Sequence, residues 1–181
     1  DPTQELLSLC YQAVDRILGD DALMERMAIP EEFHQPARDS WTRKDFDLYG
    51  RFDFAYDGQS PAKLLEFNAD TPTSLFETAV FQWRWLEQLK EEGLLPPDAD
   101  QFNSIHERLV ESLPFIAGPS RRMHFAAVLQ SDEDRGTVEY LADCAVQAGI
   151  ETSLIDISEI GVDAEGWFTD TNDYRIDTLF K

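Results

Sequence analysis

A strand–helix–strand pattern in the second half of the chain limits its fold most narrowly. Met123–Gln130 is a continuous apolar run, which is typical of a strand with both faces covered. Thr137–Ala148 has the apolar spacing of a helix and stops at Gly149, and Thr152–Ile157 predicts the next strand. Units of this kind join parallel strands through a right-handed crossover. We therefore predict an α/β fold that contains a parallel sheet.

Two alternating runs joined by a turn predict a β-hairpin upstream of that unit. Gly50–Tyr56 and Leu64–Asn68 each alternate side chains between two faces. An Asp-Gly pair at residues 57–58 supplies turn chemistry between them. We expect Tyr56 to pair with Lys63, which fixes the rest of the register.

This register gathers polar side chains on one face of the hairpin. Asp53 is expected to lie opposite Glu66, and Arg51 opposite Asn68. Two carboxylates across a strand pair repel each other unless a cation lies between them. Carboxylate and amide oxygens suit a magnesium ion that also holds a substrate phosphate. A surface ion-pair cluster would explain the same residues, and the pattern alone leaves both interpretations open.

The turn after the hairpin leads into a strongly apolar helix. Thr73 or Ser74 can cap this helix, with Glu77 placed for a capping box, and the free N–H groups at such a start also attract anions. The wide apolar stripe of Leu75–Glu92 predicts core packing. A further helix is predicted over Ala99–Leu113.

Shorter elements are predicted towards both ends of the chain. They are helices at Pro2–Leu18 and Asp20–Met27, a helical turn at Glu31–Asp39, a hairpin tip at Asp163–Gly166 and a last strand at Tyr174–Phe180. Pro36 is expected to interrupt the helical turn. We divide the chain into an N-terminal helical segment (1–40), the hairpin with its helices (41–116) and the strand–helix–strand region (117–181).

Composition excludes several classes of partner. The net charge is −21 and the pI is near 4.2, so binding to nucleic acid or to an anionic membrane surface is not expected. A cationic small molecule would be attracted by the same field. The chain has two cysteines and no apolar run of membrane-spanning length, which favours buried free thiols and a cytoplasmic location.

The carboxyl end of the first predicted parallel strand is acidic. Ligands of open α/β sheets collect at such ends, and here the chain carries Asp132-Glu133-Asp134. The acids suit a cationic substrate group, although favourable interaction with the helix dipole explains them equally well. Neither a G-x-G-x-x-G motif after the strand nor a P-loop motif is present in the sequence.

Several of these runs together resemble one family, the synthetase domain of glutathionylspermidine synthase and its homologues. In chain order they are Tyr49–Asp53, Leu65–Ser74, Glu77, Phe81–Trp83 and, more weakly, Asp132–Asp134 and Thr178–Lys181. Members of the family are ATP-grasp ligases that join a carboxylate to an amine. The resemblance implies N-terminal helices and a β-hairpin joined to a Rossmann-like pre-ATP-grasp β-α-β region.

The resemblance also implies a role for each matching residue. Arg51 would be catalytic and would contact the phosphate passed from ATP. The implied magnesium ligands are Asp53, Glu66 and Asn68. The implied substrate-binding residues are Thr71, Thr73 and Ser74 on the carboxylate side and Glu133 on the amine side.

The implied activity belongs to an intact protein longer than this chain. It is an ADP-forming, ATP- and magnesium-dependent carbon–nitrogen ligase that joins a glutathione-like carboxylate to a polyamine-like amine through an acyl phosphate. The ATP-grasp core is expected to be largely absent here, so a missing C-terminal portion is the expected partner and this chain alone should be inactive. The alternative is a non-catalytic acidic α/β binding or interaction module.

Overall fold

The computed structural model describes residues 2–70, 73–101 and 103–181. The chain forms two compact units, Asp1–Phe46 and Asp47–Lys181. The division at residues 40 and 116 that we expect from the sequence stays a prediction. Within the described ranges, no helix is both long enough and apolar enough to cross a membrane.

The N-terminal unit is helical, as the sequence predicts. Its elements are α1 (Pro2–Leu18), α2 (Asp21–Arg26), a 3-10 turn (Glu31–Phe33) and α3 (His34–Arg43). The expected interruption at Pro36 is wrong. Pro36 lies in the first turn of α3, where a missing N–H removes no intrahelical hydrogen bond.

The predicted hairpin is present, with β1 (Arg51–Ala55) antiparallel to β2 (Lys63–Asn68). Ala55 pairs with Lys63, so the expected pairing of Tyr56 with Lys63 is wrong by one residue. A β-bulge corrects this shift along the strands.

The bulge lies where Leu65 has no partner on β1. Beyond it Asp53 lies opposite Glu66, and Arg51 lies opposite Asn68, as expected. A bulge inserts one extra residue in one strand and re-aims the side chains beyond it. It is therefore the bulge that puts both acids and the amide on the same face as Arg51.

A helix then runs from Leu75 to Glu91, close to its predicted bounds. It contains a π-helical turn (Glu77–Phe81) followed by α4 (Gln82–Glu91). The predicted core packing is confirmed at the start of the stripe, where Leu75 is buried and Phe76 and Val80 pack against the core. It is wrong further along the helix. Three large side chains are exposed: Phe81, Trp83 and Trp85. An apolar stripe defines a helix face, but not whether another element covers that face.

The next helix, α5 (Ile105–Ala117), starts and ends later than predicted. Pro114 lies inside it. The proline removes one hydrogen bond near the end of the helix. Burial of Leu113 and Ala117, which are 0% and 3% exposed, offsets that loss.

The predicted parallel sheet is confirmed. β3 (Arg122–Ala127), α6 (Asp132–Gln147) and β4 (Glu151–Asp156) form the strand–helix–strand unit, and β3 pairs with β4 in parallel. β7 (Leu179–Phe180) pairs in parallel with the other edge of β3. The strand order is β4-β3-β7, so β3 is central and its two neighbours lie on opposite sides.

Between β4 and β7 the chain forms a short hairpin of β5 (Gly161–Val162) and β6 (Phe168–Thr169). This agrees with the predicted hairpin tip at Asp163–Gly166. The last strand is shorter than the predicted Tyr174–Phe180. The N–H of Tyr174 donates to the Asp170 carboxylate at 3.0 Å and is therefore not available to a sheet.

The core of the second unit lies between the parallel sheet and the helices α5 and α6. Its most buried side chains, none of them more than 1% exposed, are Leu113, Met123, Phe125, Leu141, Cys144 and Ala145. Cys144 is a buried free thiol, as the sequence predicts. Cys10 is also a free thiol, but it is only half-buried, so the prediction of burial is wrong for Cys10. The core fixes the sheet and α6, whose ends meet at the site described next.

Candidate functional site

Arg51 is the centre of the hairpin's polar face. Its Nε donates to Asp53 Oδ1 at 2.8 Å, and its Nη2 donates to Asp53 Oδ2 at 3.1 Å. This two-point pairing holds the pKa of the Asp53 carboxyl below its ordinary value. The same pairing raises the pKa of Arg51, with smaller contributions from the charges of Glu66 and Glu133.

The other end of the guanidinium contacts the turn after β2. Nη1 of Arg51 donates to Thr73 Oγ1 at 2.9 Å and to the Thr73 carbonyl oxygen at 3.3 Å. An arginine has five N–H donors. One N–H on Nη2 is therefore left without a partner among the described residues, and it is the first group available to an oxyanion.

The two acids opposite each other differ in their pairing. Asp53 is half-buried and held by Arg51. Glu66 is exposed, and within residues 2–70, 73–101 and 103–181 it has no hydrogen bond or ion pair. Asn68 is half-buried opposite Arg51. One cation thus faces two carboxylates, and the local excess of negative charge suits a bound metal ion.

Those residues fit a magnesium ion only as part of its ligand set. Among the residues that the structure describes, no group of three or more His, Cys, Asp or Glu side chains could hold a metal. Asp53, Glu66 and Asn68 offer hard oxygen ligands, but only two of them are acids. Magnesium prefers six oxygens and commonly takes several from substrate phosphates and water, so the donor set fits a metal that is bound together with a phosphate.

Ser74 has an unusual backbone conformation beside this face. Its φ of 67° lies in the left-handed region, which costs a non-glycine residue free energy and is common near functional sites. Its carbonyl oxygen accepts hydrogen bonds from Thr78 N at 3.1 Å and Thr78 Oγ1 at 2.7 Å. Thr71, the remaining implied contact to the carboxylate substrate, lies outside the described residues.

The first turn of α6 brings three acids towards the hairpin, and each has different surroundings. Asp132 is paired with Arg135 at 2.6 Å. Glu133 is exposed, and its charge acts on Arg51. Asp134 is half-buried, lines a cleft, and has no side-chain partner among the described residues. The implied amine-side residue Glu133 therefore lies on the Arg51 side, and its neighbour faces the cleft.

The cleft lies at the carboxyl ends of β3, β4 and β7 and has a volume of about 270 Å³. Ligands of open α/β sheets bind at such a position, where connections leave the central strand in opposite directions. Its polar lining residues are Tyr49, Thr73, Asp134, Thr137 and Lys181. Thr73 lines the cleft and also accepts hydrogen bonds from Arg51 on the hairpin face. The hairpin face and the cleft therefore form one continuous site.

Sequence reasoning missed one charged residue of this site. Lys181 Nζ lies 3.4 Å from Asp70 Oδ1, which joins the end of β7 to the turn after the hairpin. The rule that ligands gather at the ends of parallel strands could have identified Lys181, had the last strand been paired with β3. Asp134, one of the three acids expected to suit a cationic substrate group, lines the cleft as well.

Comparison with known proteins identifies the family of this chain. Residues 1–181 match the family described as glutathionylspermidine synthase, pre-ATP-grasp. A protein of Haemophilus influenzae named as a candidate acid–amine ligase is 44% identical over 186 residues, covering 100% of this chain. The chain corresponds to 46% of that relative's length.

Two further relatives are more distant. A trypanothione synthetase of Crithidia fasciculata is 28% identical, covering 94% of this chain and 26% of its own length. A bifunctional glutathionylspermidine synthetase/amidase of Escherichia coli is 29% identical, covering 99% of this chain and 28% of its own length. The chain therefore spans less than half the length of these relatives, and it belongs to the glutathionylspermidine synthase pre-ATP-grasp family.

Proposed function

We propose that this chain supplies the acid-activating half of an ATP- and magnesium-dependent ligase that joins a carboxylate to an amine. One observation carries the proposal. Arg51, Asp53, Glu66 and Asn68 share one face of a hairpin, in the register that aligns the two acids. An arginine that is fixed by a carboxylate, with a second acid and an amide beside it, suits a phosphate and a divalent cation.

The proposed reaction requires stabilisation of negative charge rather than a protein nucleophile. A carboxylate is a poor electrophile, and phosphorylation turns it into an acyl phosphate that an amine can attack with loss of phosphate. Several negative charges must then lie close together. Magnesium held by Asp53, Glu66 and Asn68 would neutralise phosphate oxygens in the bound nucleotide.

Arg51 would bind the transferred phosphate in two stages. The open N–H on Nη2 would donate a hydrogen bond to the first phosphate oxygen. The phosphate would then displace Thr73 from Nη1, since a charged acceptor competes well with a hydroxyl and a carbonyl. Asp53 keeps the guanidinium oriented throughout because it holds the opposite edge.

The cleft provides a place for the organic substrates. Asp134 offers an uncompensated carboxylate to an ammonium group, and Thr73 joins the cleft to Arg51. By analogy with the names of the relatives, the carboxylate is a glutathione-like peptide and the amine is polyamine-like. The net charge of −21 favours the approach of such an amine.

The second candidate is a non-catalytic acidic binding module. The exposed Glu66 and the acidic first turn of α6 favour it, because both would attract a cationic partner without any nucleotide. The two candidates differ in their need for magnesium. Salt-sensitive polyamine binding that is unchanged by magnesium and ATP would favour the module.

The test is ADP release by the intact ligase that contains this chain. The protein is incubated with ATP, magnesium and a panel of carboxylates and amines that includes glutathione and spermidine. Asp53→Asn and Glu66→Gln are compared with Asp98→Asn and Glu91→Gln, which change exposed acids outside the site.

We expect ADP release to require both a carboxylate and an amine. The two site variants should lose about a hundredfold or more in kcat, which is the usual effect of removing one preorganised electrostatic group. The control variants should retain wild-type rates. Wild-type rates in Asp53→Asn and Glu66→Gln would contradict the proposal.

A further inference from the structure

A buried histidine–aspartate pair lies outside the lining of the cleft and has no part in the proposed reaction. His124 on β3 is 1% exposed, and Asp170 in the loop after β6 is 8% exposed. Nε2 of His124 lies 3.2 Å from Asp170 Oδ2, although the two residues are 46 positions apart. Polar side chains this deeply buried are retained where they hold segments together or serve chemistry.

Asp170 organises the turn that follows it. Its Oδ1 accepts hydrogen bonds from the backbone N–H groups of Asn172 at 2.8 Å and Tyr174 at 3.0 Å. Its other oxygen faces His124. These hydrogen bonds, together with the interaction with His124, hold the pKa of Asp170 below its ordinary value against the opposing effect of burial. The carboxylate thus links this turn to the histidine of the central strand.

The surroundings of the other ring nitrogen, Nδ1, determine which tautomer of His124 is favoured. Nδ1 is buried and, among the described residues, has no hydrogen-bond partner. A proton on Nδ1 would leave a buried donor unpaired, whereas a proton on Nε2 is donated to Asp170. The tautomer with its proton on Nε2 is therefore the one that the hydrogen-bond partners favour.

The segment held by this pair delivers one wall of the cleft. After Asp170 the chain forms an isolated bridge between Arg175 and Thr169, and Ile176 N donates to the Phe168 carbonyl oxygen at 2.9 Å. The next strand, β7, contains only two residues. The Thr178 carbonyl accepts from His124 N at 2.9 Å. Phe180 then stacks on Tyr49 with ring centroids 6.2 Å apart, and Lys181 enters the cleft. So short a strand gains little from its own ladder, so contacts outside the ladder contribute to its position.

We propose that His124 and Asp170 are a positioning pair, in which the Nε2–H of His124 anchors the Asp170 turn to β3 and so places Phe180 and Lys181 at the cleft wall. Charged and titratable groups lie around the pair: Glu151 on β4, Arg122 on β3 and Tyr174 in the turn. The importance of the cleft rests on the proposed function, but the anchoring itself does not.

The test is NMR spectroscopy of the full chain, without nucleotide or substrate. Nitrogen shifts in ¹⁵N-histidine-labelled protein report the tautomer of each of the three histidines. An NOE between the rings of Tyr49 and Phe180 reports the position of β7. The variants are His124→Gln, which keeps an N–H donor near the position of Nε2, His124→Leu, which removes it, and Asp170→Asn.

Asp163→Asn is the matched control. Asp163 Oδ1 also accepts backbone N–H groups in a turn, from Glu165 and Trp167 at 2.9 Å each, but its other oxygen faces Arg175 rather than His124. Any general effect of losing a turn carboxylate appears in this control as well.

We expect the Nε2–H tautomer in the wild type and in Asp163→Asn. Asp170→Asn should change the His124 shifts, because its amide places N–H donors opposite Nε2. The ring NOE should persist in His124→Gln and be lost in His124→Leu. An Nδ1–H tautomer in the wild type, unchanged His124 shifts in Asp170→Asn, or a persisting NOE in folded His124→Leu would overturn the inference. If His124→Leu does not fold, the tautomer results still decide. None of these outcomes bears on ligase activity.

Discussion

Gly50 leaves no room for a side chain next to the site. A Cβ at this position would lie 2.6 Å from Cε2 of Phe67 and 3.2 Å from the Asn68 carbonyl oxygen. The Phe67 ring stacks on Phe52 with centroids 4.3 Å apart, so it cannot move away without losing that contact. We expect Gly50→Ala to lower the free energy of unfolding by about 1–3 kcal/mol, the usual effect of overpacking.

Gly136→Ala is the matched control for this change. A Cβ at Gly136 would meet only Cδ1 of Phe76, at the ordinary contact distance of 3.9 Å. Gly136 lies inside α6, where alanine is favoured over glycine. The control should therefore raise the free energy of unfolding by about 0.5–1 kcal/mol.

The assay is urea denaturation of both variants and the wild type, followed by fluorescence and circular dichroism. The two alanine substitutions should shift the midpoint in opposite directions with an unchanged slope. If Gly50→Ala is as stable as Gly136→Ala, the close approach of residue 50 to β2 is wrong. In that case the register that brings Arg51 opposite Asn68 also loses its support.

Three further predictions concern the core and the charged groups. Leu141→Ala, at a position that is 0% exposed, should lower the free energy of unfolding by about 2–5 kcal/mol in the same assay. Burial raises the pKa of Tyr49 to about 12 from 10.0, so the stability gained by keeping its phenol neutral is complete below pH 10 and is lost as the pH rises towards 12. Burial raises the pKa of Tyr140 as well, so ultraviolet titration at rising pH should show two late tyrosines, Tyr49 and Tyr140. Arg51 lowers the pKa of Asp53 from 3.8, so the stability that this pair adds is present above that pH and is lost as the pH falls through the folded-state pKa. Carboxyl NMR should therefore show Asp53 titrating below 3.8 in the wild type and closer to it in Arg51→Gln.

The hairpin face could be predicted from the sequence because strand alternation depends on few contacts. Arg51, Asp53 and Glu66 lie on the face that alternation assigns them. The pairing near the turn could not be predicted in the same way. Whether Tyr56 or Ala55 meets Lys63 depends on where the bulge falls, and no local pattern marks Leu65 as the extra residue.

The cleft was harder to predict because it depends on distant parts of the chain. Lys181 reaches the site only because β7 pairs with the edge of β3 opposite β4. A two-residue strand has too few positions to show a period. His124 was equally hidden, since it lies in an apolar run that reads as a plain buried strand, and its partner comes from a loop 46 residues later.

The most direct test of the proposed magnesium and phosphate face is the magnesium dependence of ADP release by the intact ligase. The concentration that gives half-maximal rate is measured for the wild type, Glu66→Gln and the exposed control Glu91→Gln. We expect Glu66→Gln to raise this magnesium concentration at least about tenfold, since loss of even an outer-sphere partner weakens metal binding by about 10–100-fold. The control should match the wild type. An unchanged magnesium requirement in an active Glu66→Gln protein would contradict the assignment of this hairpin face to the metal.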